Sequence, residues 1–208
     1  MIDKIFSSWK LLITIIIGVP LLAFTAVKML NRAYGSIPVI TSIDDLNNDS
    51  YHFLNQKSQM KSFKDWDNKI LVVDFFFTRC SAICPKMTRS LNRVATEFNE
   101  FNNVHLLSFT VDPEHDKADN LFTYGQAMTL QLKNWDLLTG DKKSIYKIAR
   151  KQFQLIATDG DGGTDDFIHS ERVVLVDAKH NIRGYYDGTN SNEIDQLITD
   201  IKKIQYEN

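Results

Sequence analysis

The 208 residues, 43% hydrophobic and 24% charged, suffice for one ordinary folded core and are too apolar for an intrinsically disordered chain. A formal net charge of -2 leaves no basic footprint for nucleic acid, which is excluded as a partner. Two cysteines, Cys80 and Cys84, exclude a multi-bridge disulfide scaffold and a four-cysteine zinc site within one chain.

Charge is unevenly spread. Residues 1–32 hold Lys4, Lys10, Lys28 and Arg32 against Asp3, so of 24 basic and 26 acidic groups in all, 20 and 25 lie beyond residue 32. Leu11 to Val27 contains no charged residue, and with Met29 and Leu30 the stretch approaches the roughly 20 residues that cross a bilayer as a helix. Pro20 is tolerated in such a span. A cleaved signal peptide fits less well, because the run is long and ends Phe24-Thr25-Ala26-Val27-Lys28 with no small-residue cleavage site. The expectation is one uncleaved N-terminal transmembrane helix within residues 1–32, a linker over 33–49 and a folded domain over 50–208. Lysines flank the span on both sides, so charge alone does not set its orientation.

Ile70 to Thr78 is β-branched and aromatic almost throughout, as a strand buried on both faces requires. Pro85 then opens a helix whose apolar positions are Met87, Leu91, Val94, Ala95, Phe98 and Phe101. A strand is predicted at Val104 to Val111, a helix from Lys117 to Met128, a strand at Trp135 to Leu138 and a helix from Ser144 to Phe153. Arg172 to Asp177 reads as another buried strand and His180 to Gly188 as a turn with a short strand. A final helix carries Ile194, Leu197, Ile198, Ile201 and Ile204, with Asn190 and Glu193 as its N-terminal cap. Strands alternating with helices predict a layered α/β domain with a largely parallel sheet.

Cys80-Ser81-Ala82-Ile83-Cys84-Pro85 falls between the buried strand and the following helix, where α/β domains collect their ligands. The helix amino end favours thiolates, which exchange disulfides or bind metal. Two buried apolar cysteines, a redox dithiol, a zinc site and a copper site are the readings. Structural zinc wants four ligands, whereas soft Cu(I) is well served by two thiolates and one imidazole. Of five histidines, His169 stands out, following a Gly/Asp-rich loop (159–166) and immediately preceding the strand at 172–177. In a parallel sheet that placement is a strand mouth, though a lone histidine is more often structural. The loop fails the EF-hand template, because Gly163, Thr164 and Ser170 stand where an acidic ligand, a glycine and a glutamate are needed.

FFFTRCSAICPKMT at 75–88, FTVDPEHD at 109–116, WDLLTG at 135–140 and DFIHSERVVLVD at 166–177 together resemble the Sco/SenC family. The resemblance covers about residues 45–206. It implies a thioredoxin-like α/β fold, a central mixed sheet flanked by helices, and an anchored copper protein that serves assembly of the copper centre of cytochrome c oxidase. It implies copper as the bound ion, Cu(I) with Cu(II) as a second state, on Cys80, Cys84 and His169. The implied partners are the copper-bearing oxidase subunit or another copper chaperone, and the membrane through the N-terminal helix. The implied location is the bacterial inner membrane, single-pass, with the domain in the periplasm. Asp112, Pro113 and Asp116 match a family motif read here as a turn, with Asp116 capping the next helix.

Two features set this chain apart. Many family members carry an acidic residue just inside the cysteine pair, where this chain has Ser81 and Ala82. Asp74, six residues before Cys80, looks like the buried aspartate of thioredoxins that accepts a proton from the redox pair. The competing reading is therefore a thiol-disulfide oxidoreductase that keeps an oxidase subunit's cysteines reduced before metallation, with Cys80 and Cys84 as redox pair and Asp74 as proton acceptor. Against it, thioredoxins use C-x2-C and place a proline before the facing strand, and here Ile168-His169-Ser170 occupies that position. A peroxidase is weaker still, because its Thr-x-x-Cys would need threonine at Phe77. Metal carriage is thus expected over catalysis.

Overall fold

The computed structural model describes residues 2–43, 46, 51–155 and 170–207; the Gly/Asp loop and His169 lie outside the described residues. In chain order the elements are α1 (Ile2–Tyr34), β1 (Thr41–Ser42), β2 (Phe53–Asn55), β3 (Met60–Lys61), β4 (Ile70–Phe76), α2 (Cys84–Glu97), β5 (Val104–Thr110) and α3 (Ala118–Ala127). They continue with β6 (Trp135–Gly140), α4 (Lys142–Lys147), β7 (Arg172–Val176), β8 (Asn181–Asp187) and α5 (Ser191–Glu207). A 3-10 turn at Phe63–Trp66 precedes β4, and a π-helical turn at Ile148–Gln152 extends α4.

Among the described residues, eight strands form one sheet in the order β1-β8-β7-β4-β5-β6-β2-β3. Only β4 with β5 and β5 with β6 are parallel; the other pairings are antiparallel. The sheet is therefore mixed, and the largely parallel arrangement expected from element order is corrected. The β7–β8 connection is a tight turn, too short for a crossover, so these strands must run in opposite directions. In that turn the Asp177 carboxylate accepts from the backbone N–H groups of Lys179 and Asn181, both at 2.9 Å.

β4 is buried along its whole length because side chains from both faces are covered. On one face Leu71, Val73 and Phe75 pack with Leu107, Phe109 and Val174 under the 3-10 turn, α4 and Phe153. On the other, Ile70, Val72 and Phe76 pack with Leu106, Leu137 and Val173 beneath α2, α3 and α5. The first face holds a polar knot, in which Asp136 accepts from Asn55 at 2.9 Å and Trp66 at 3.1 Å and meets His105 at 2.9 Å. Burial pushes the Asp136 carboxyl up, but these bonds and the His105 charge outweigh it and hold the group below its ordinary value.

Helix ends follow local chemistry. Asp141 accepts from Ser144 N at 2.8 Å and starts α4, and Asn190 accepts from Asn192 N at 3.0 Å and starts α5. Glu193 turns instead to Asp187 N, at 2.6 Å. Phe101, expected on the α2 helix, lies in the turn beyond it, 48% exposed.

The segment expected as linker joins the domain early. β1 pairs with β8, Thr41 opposite Ile182, and Ile43 and Leu46 are buried in the core. At the N-terminus, α1 occupies the place of the expected transmembrane helix, with Pro20 inside it. Among the described residues, no helix is long and apolar enough to cross a membrane. The described large apolar side chains of α1 nevertheless stand free of the domain, from Ile15 at 51% exposed to Met29 at 76%.

Candidate metal centre

The site begins where β4 ends. After Phe76 the chain turns through Phe77, Thr78 and Arg79 to Cys80, and Ile83 leads into α2 with Cys84 as its first residue and Pro85 next. Proline suits that first turn because the amide it lacks has no partner within the helix there. The arrangement places Cys80 in the loop, half-buried, and Cys84 against the core, 4% exposed. The Cys84 N–H donates to Cys80 Sγ at 3.4 Å, so both sulfurs belong to one turn of chain. Both cysteines are free thiols.

Their environments differ. Burial pushes the Cys80 thiol up, but the Cys84 side chain and the backbone N–H groups of Cys84, Ala82 and Ile83 pull harder, and it stands below its ordinary value. Cys84 is pushed up to about 12 by burial first, then by Cys80, with a smaller contribution from the Asp74 charge. Cys80 is thus the accessible, thiolate-favouring sulfur and Cys84 the protonated, shielded one.

Asp74 shares the face of Val72 and Phe76 that α2 covers, and it is 2% exposed. Parallel pairing sets it directly opposite Ser108, whose hydroxyl donates to Asp74 Oδ1. The Trp135 indole donates to Ser108 Oγ at 2.9 Å and completes the chain. Burial pushes the Asp74 carboxyl up to about 7, against the pull of Ser108. Tyr124, bonded to Thr88 at 2.8 Å, is pushed up to about 12 by burial, and the charges of Cys84, Asp74 and Cys80 add to it.

The loop ahead of Cys80 is tied to the turn after β5. Asp116, 0% exposed, accepts from Thr78 N at 2.9 Å, Thr78 Oγ1 at 2.5 Å and Thr110 Oγ1 at 2.6 Å, and meets His115 Nδ1 at 2.9 Å. It does not cap α3, whose capping residue is Lys117 with no side-chain bond. The expected cap is corrected: the carboxylate fixes Thr78, two residues before Cys80. Arg79 adds an ion pair to Asp112 at 2.5 Å.

Pairs of β4 with β7 run Leu71 to Val176, Val72 to Leu175 and Val73 to Val174, in opposite directions. The entrance of β7 therefore lies next to the exit of β4. In a parallel pairing the entrance of β7 would lie at the far end of the sheet, so the strand-mouth reasoning from a parallel sheet is corrected. Ser170, which follows His169 in sequence, lines a cavity of about 590 Å³ together with Ile83 from inside the cysteine loop and with Arg172, Tyr186 and Glu193. His169 itself is outside the described residues. Of the other histidines, His105 and His115 are engaged with Asp136 and Asp116.

Sequence reasoning missed Ser108, Trp135, Thr78 and Thr110. A pattern marks Thr78, two residues before Cys80, but Ser108 becomes legible only once strand register is known.

The SCO1/SenC family model matches residues 42–205. An SCO1 protein homolog of Bacillus subtilis (strain 168) is 32% identical over 154 residues, 73% of this chain and 79% of the relative. Among solved structures, BsSco, described as a member of the Sco family of cytochrome c oxidase assembly proteins with a disulfide switch, superposes with a TM-score of 0.67 at 29% identity. The match covers 81% of this chain and 97% of that one. Copper-bound ScoI of Bradyrhizobium japonicum has a TM-score of 0.60 at 18% identity, covering 74% and 96% of the two chains, and shares the fold.

Two outcomes follow from the thiols and from Asp74. Limited alkylation of the reduced protein at pH 8, mapped by peptide mass, modifies Cys80 first and leaves Cys84 largely intact; equal labelling would contradict the asymmetry. Asp74 holds a proton in the folded state up to about pH 7, whereas the unfolded chain, with an ordinary carboxyl value of 3.8, has already released it. Stability therefore falls as pH rises from about 4 to about 7, by up to about 4 kcal/mol, and levels off above. Asp74→Asn removes that slope, read as Tm between pH 5 and 7.5; an unchanged slope would show that Asp74 is not its source.

Proposed function

We propose, from the premise that the chain belongs to the SCO1/SenC family, that it is a membrane-anchored copper metallochaperone. It holds Cu(I) on Cys80, Cys84 and His169 and passes it to the copper centre of cytochrome c oxidase. The observation that carries this reading is the pair of free thiols in one turn of chain at the exit of β4, with the segment that follows His169 lining the same cavity as Ile83. Two sulfurs and one imidazole are a soft, low-coordination donor set, and the described residues contain no group of three or more His, Cys, Asp and Glu that could hold a metal otherwise.

Binding requires both thiols reduced and deprotonated, so loading releases the Cys84 proton. Transfer by ligand exchange moves copper without change of oxidation state: an incoming sulfur or nitrogen of the recipient takes a coordination position and a chaperone thiolate leaves, regaining its proton. Closing a Cys80–Cys84 disulfide would remove two electrons and two protons and leave no thiolate for copper. Cu(II) is a second state of the same cargo. The acidic residue that many family members carry inside the pair is replaced by Ser81 and Ala82. The recipient is the copper-bearing oxidase subunit or another copper chaperone.

The proposed organisation is an anchor at 1–32 followed by a short connection into the thioredoxin-like domain, which takes in β1, Ile43 and Leu46 ahead of the boundary at residue 50 expected from sequence. The anchor is supported by the apolar run from Leu11 to Val27 and by the exposed apolar side chains of α1. The proposed location is the bacterial inner membrane, single-pass, with the domain in the periplasm.

One observation favours a second reading. The buried Asp74, whose charge bears on Cys84, is placed to accept a proton during dithiol exchange, as a thiol-disulfide oxidoreductase requires. Ile168-His169-Ser170, without a proline, precede β7 in sequence, which favours metal.

Titration of the reduced protein with Cu(I) against a competing chelator distinguishes the two. The parent is expected to bind one equivalent, and His169→Ala and Cys84→Ser to lose more than about 100-fold in affinity, beyond the cost of losing an outer hydrogen bond. A His169→Ala variant that binds as tightly as the parent would remove His169 from the site. Appreciable insulin-disulfide reduction, lost in Asp74→Asn, would promote the oxidoreductase.

A further inference from the structure

Positive charge is gathered at one place in the domain. Lys142, Lys143, Lys147, Arg150 and Lys151 follow one another with no acidic residue among them, and the next carboxylate in the chain is Asp159. Of the 20 basic and 25 acidic groups beyond residue 32, taking away these five leaves 15 against 25. A short basic segment therefore sits on a domain that is otherwise strongly negative.

The fold makes that segment a surface. Asp141 accepts from Ser144 N at the start of α4, and Ile145, Tyr146, Ile148 and Ala149 bury one side of α4 and its π-helical extension. The Tyr146 hydroxyl donates to the Val111 carbonyl at 3.0 Å and pins that side to the chain leaving β5. Lys143, Lys147 and Lys151, four residues apart, are left exposed. Residues at that spacing share a helix face and lie about 6 Å apart along its axis. Among the described residues none of the three is paired with a carboxylate, unlike Lys133 with Glu100 at 3.6 Å or Lys202 with Glu97 at 2.5 Å. Lys142 Nζ lies 5.3 Å and the Arg150 guanidinium 5.4 Å from the centre of the Tyr146 ring, and Lys147 Nζ lies 5.8 Å from that of Tyr51. Contacts with buried tyrosine rings restrain these long side chains without neutralising their charge.

We infer that the exposed side of α4 is a docking surface for an acidic polypeptide segment that presents a row of carboxylates about 6 Å apart. A carboxylate at every fourth residue of a helix, or at every second residue of a strand rising about 3.3 Å per residue, meets that spacing. Charge and position both favour a polypeptide. Nucleic acid would bring its phosphates against the negative remainder of the domain. A membrane surface lies at the wrong end: the chain from α1 enters at Ile37, whose carbonyl accepts from Arg183 and whose N–H donates to Glu207 at 2.9 Å, beside the start of β8. α4 begins where β6 leaves the sheet, at the opposite end. The surface is on the face that packs Leu71, Val73 and Phe75, while α2 with Cys84 covers the other. A docked segment leaves the cysteine loop uncovered, and the inference does not depend on the metal assigned there. Exposed charges more than about 10 Å apart are screened at 0.1 M salt, so the attraction acts at contact and weakens as salt rises.

The test follows acetylation of lysines, mapped by peptide mass, in the full chain reconstituted in phosphatidylcholine vesicles without copper. The probe is a helical peptide with glutamate at every fourth position. It is expected to slow acetylation of Lys143, Lys147 and Lys151 by about 5-fold at about 50 mM salt, to lose that effect at about 300 mM, and to leave Lys57, Lys133 and Lys179 as reactive as before. Peptide affinity, read by fluorescence anisotropy, is expected to fall by about 10-fold or more when Lys143→Glu, Lys147→Glu and Lys151→Glu are combined, and by less than about 3-fold when Lys57→Glu, Lys133→Glu and Lys179→Glu are combined. Equal loss in the two variants would show a response to total charge alone and overturn the inference, as would absence of protection. Protection by phosphatidylglycerol in place of the peptide would assign the surface to lipid, and protection that grows with protein density alone would assign it to a second copy of the chain; either overturns it as well.

Discussion

Leu71, Val72 and Val73 pair antiparallel with Val176, Leu175 and Val174, while on its other edge β4 runs parallel to β5. This double pairing of β4 sets the rest of the site. The parallel edge puts Ser108 opposite Asp74 and the turn after β5 beside the turn after β4, so Asp116 can reach Thr78. The antiparallel edge puts the entrance of β7, and the residues just before it, next to the cysteine loop. A strand with both edges alike could not gather contributions from the chain at 78–84, at 110–116 and at 170–172 at one end of a sheet.

The same strand explains the asymmetry of the thiols. Cys84 opens α2, which lies across Val72 and Phe76, so its sulfur is buried with the helix while Cys80 remains in the loop. A shielded thiol pushed up to about 12 beside one held below its ordinary value is suited to staged ligation, in which the exposed sulfur engages an incoming ion first and the buried sulfur completes the site by releasing its proton. The buried Asp74 costs stability at neutral pH, and such a cost at a site end is where a functional constraint is expected to appear.

Much of this was legible in the sequence. Ile70 to Phe76, Val104 to Thr110 and Arg172 to Val176 announce themselves by unbroken apolar runs, and α2 and α5 by helical spacing. β1, β2 and β3 did not, because two or three residues are too few to show a period, and they depend on pairing partners distant in sequence. Strand direction was misjudged since element order carries no record of the tight β7–β8 turn's consequence for β4. Cys80 and Cys84 stand out by spacing and context, whereas the places of Ser108 and Asp116 depend on register and on side-chain direction, which no local pattern encodes. The buried Arg183 guanidinium, which donates to the Ile37 carbonyl, Asp177 and Glu207, joins residues far apart in sequence and was equally invisible.

X-ray absorption at the copper edge of the reduced, Cu(I)-loaded protein tests the three-ligand site most directly. Two sulfur scatterers and one nitrogen are expected, with the nitrogen shell lost in His169→Ala and one sulfur lost in Cys84→Ser. A first shell of sulfur alone, or one unchanged when His169 is replaced, would contradict it.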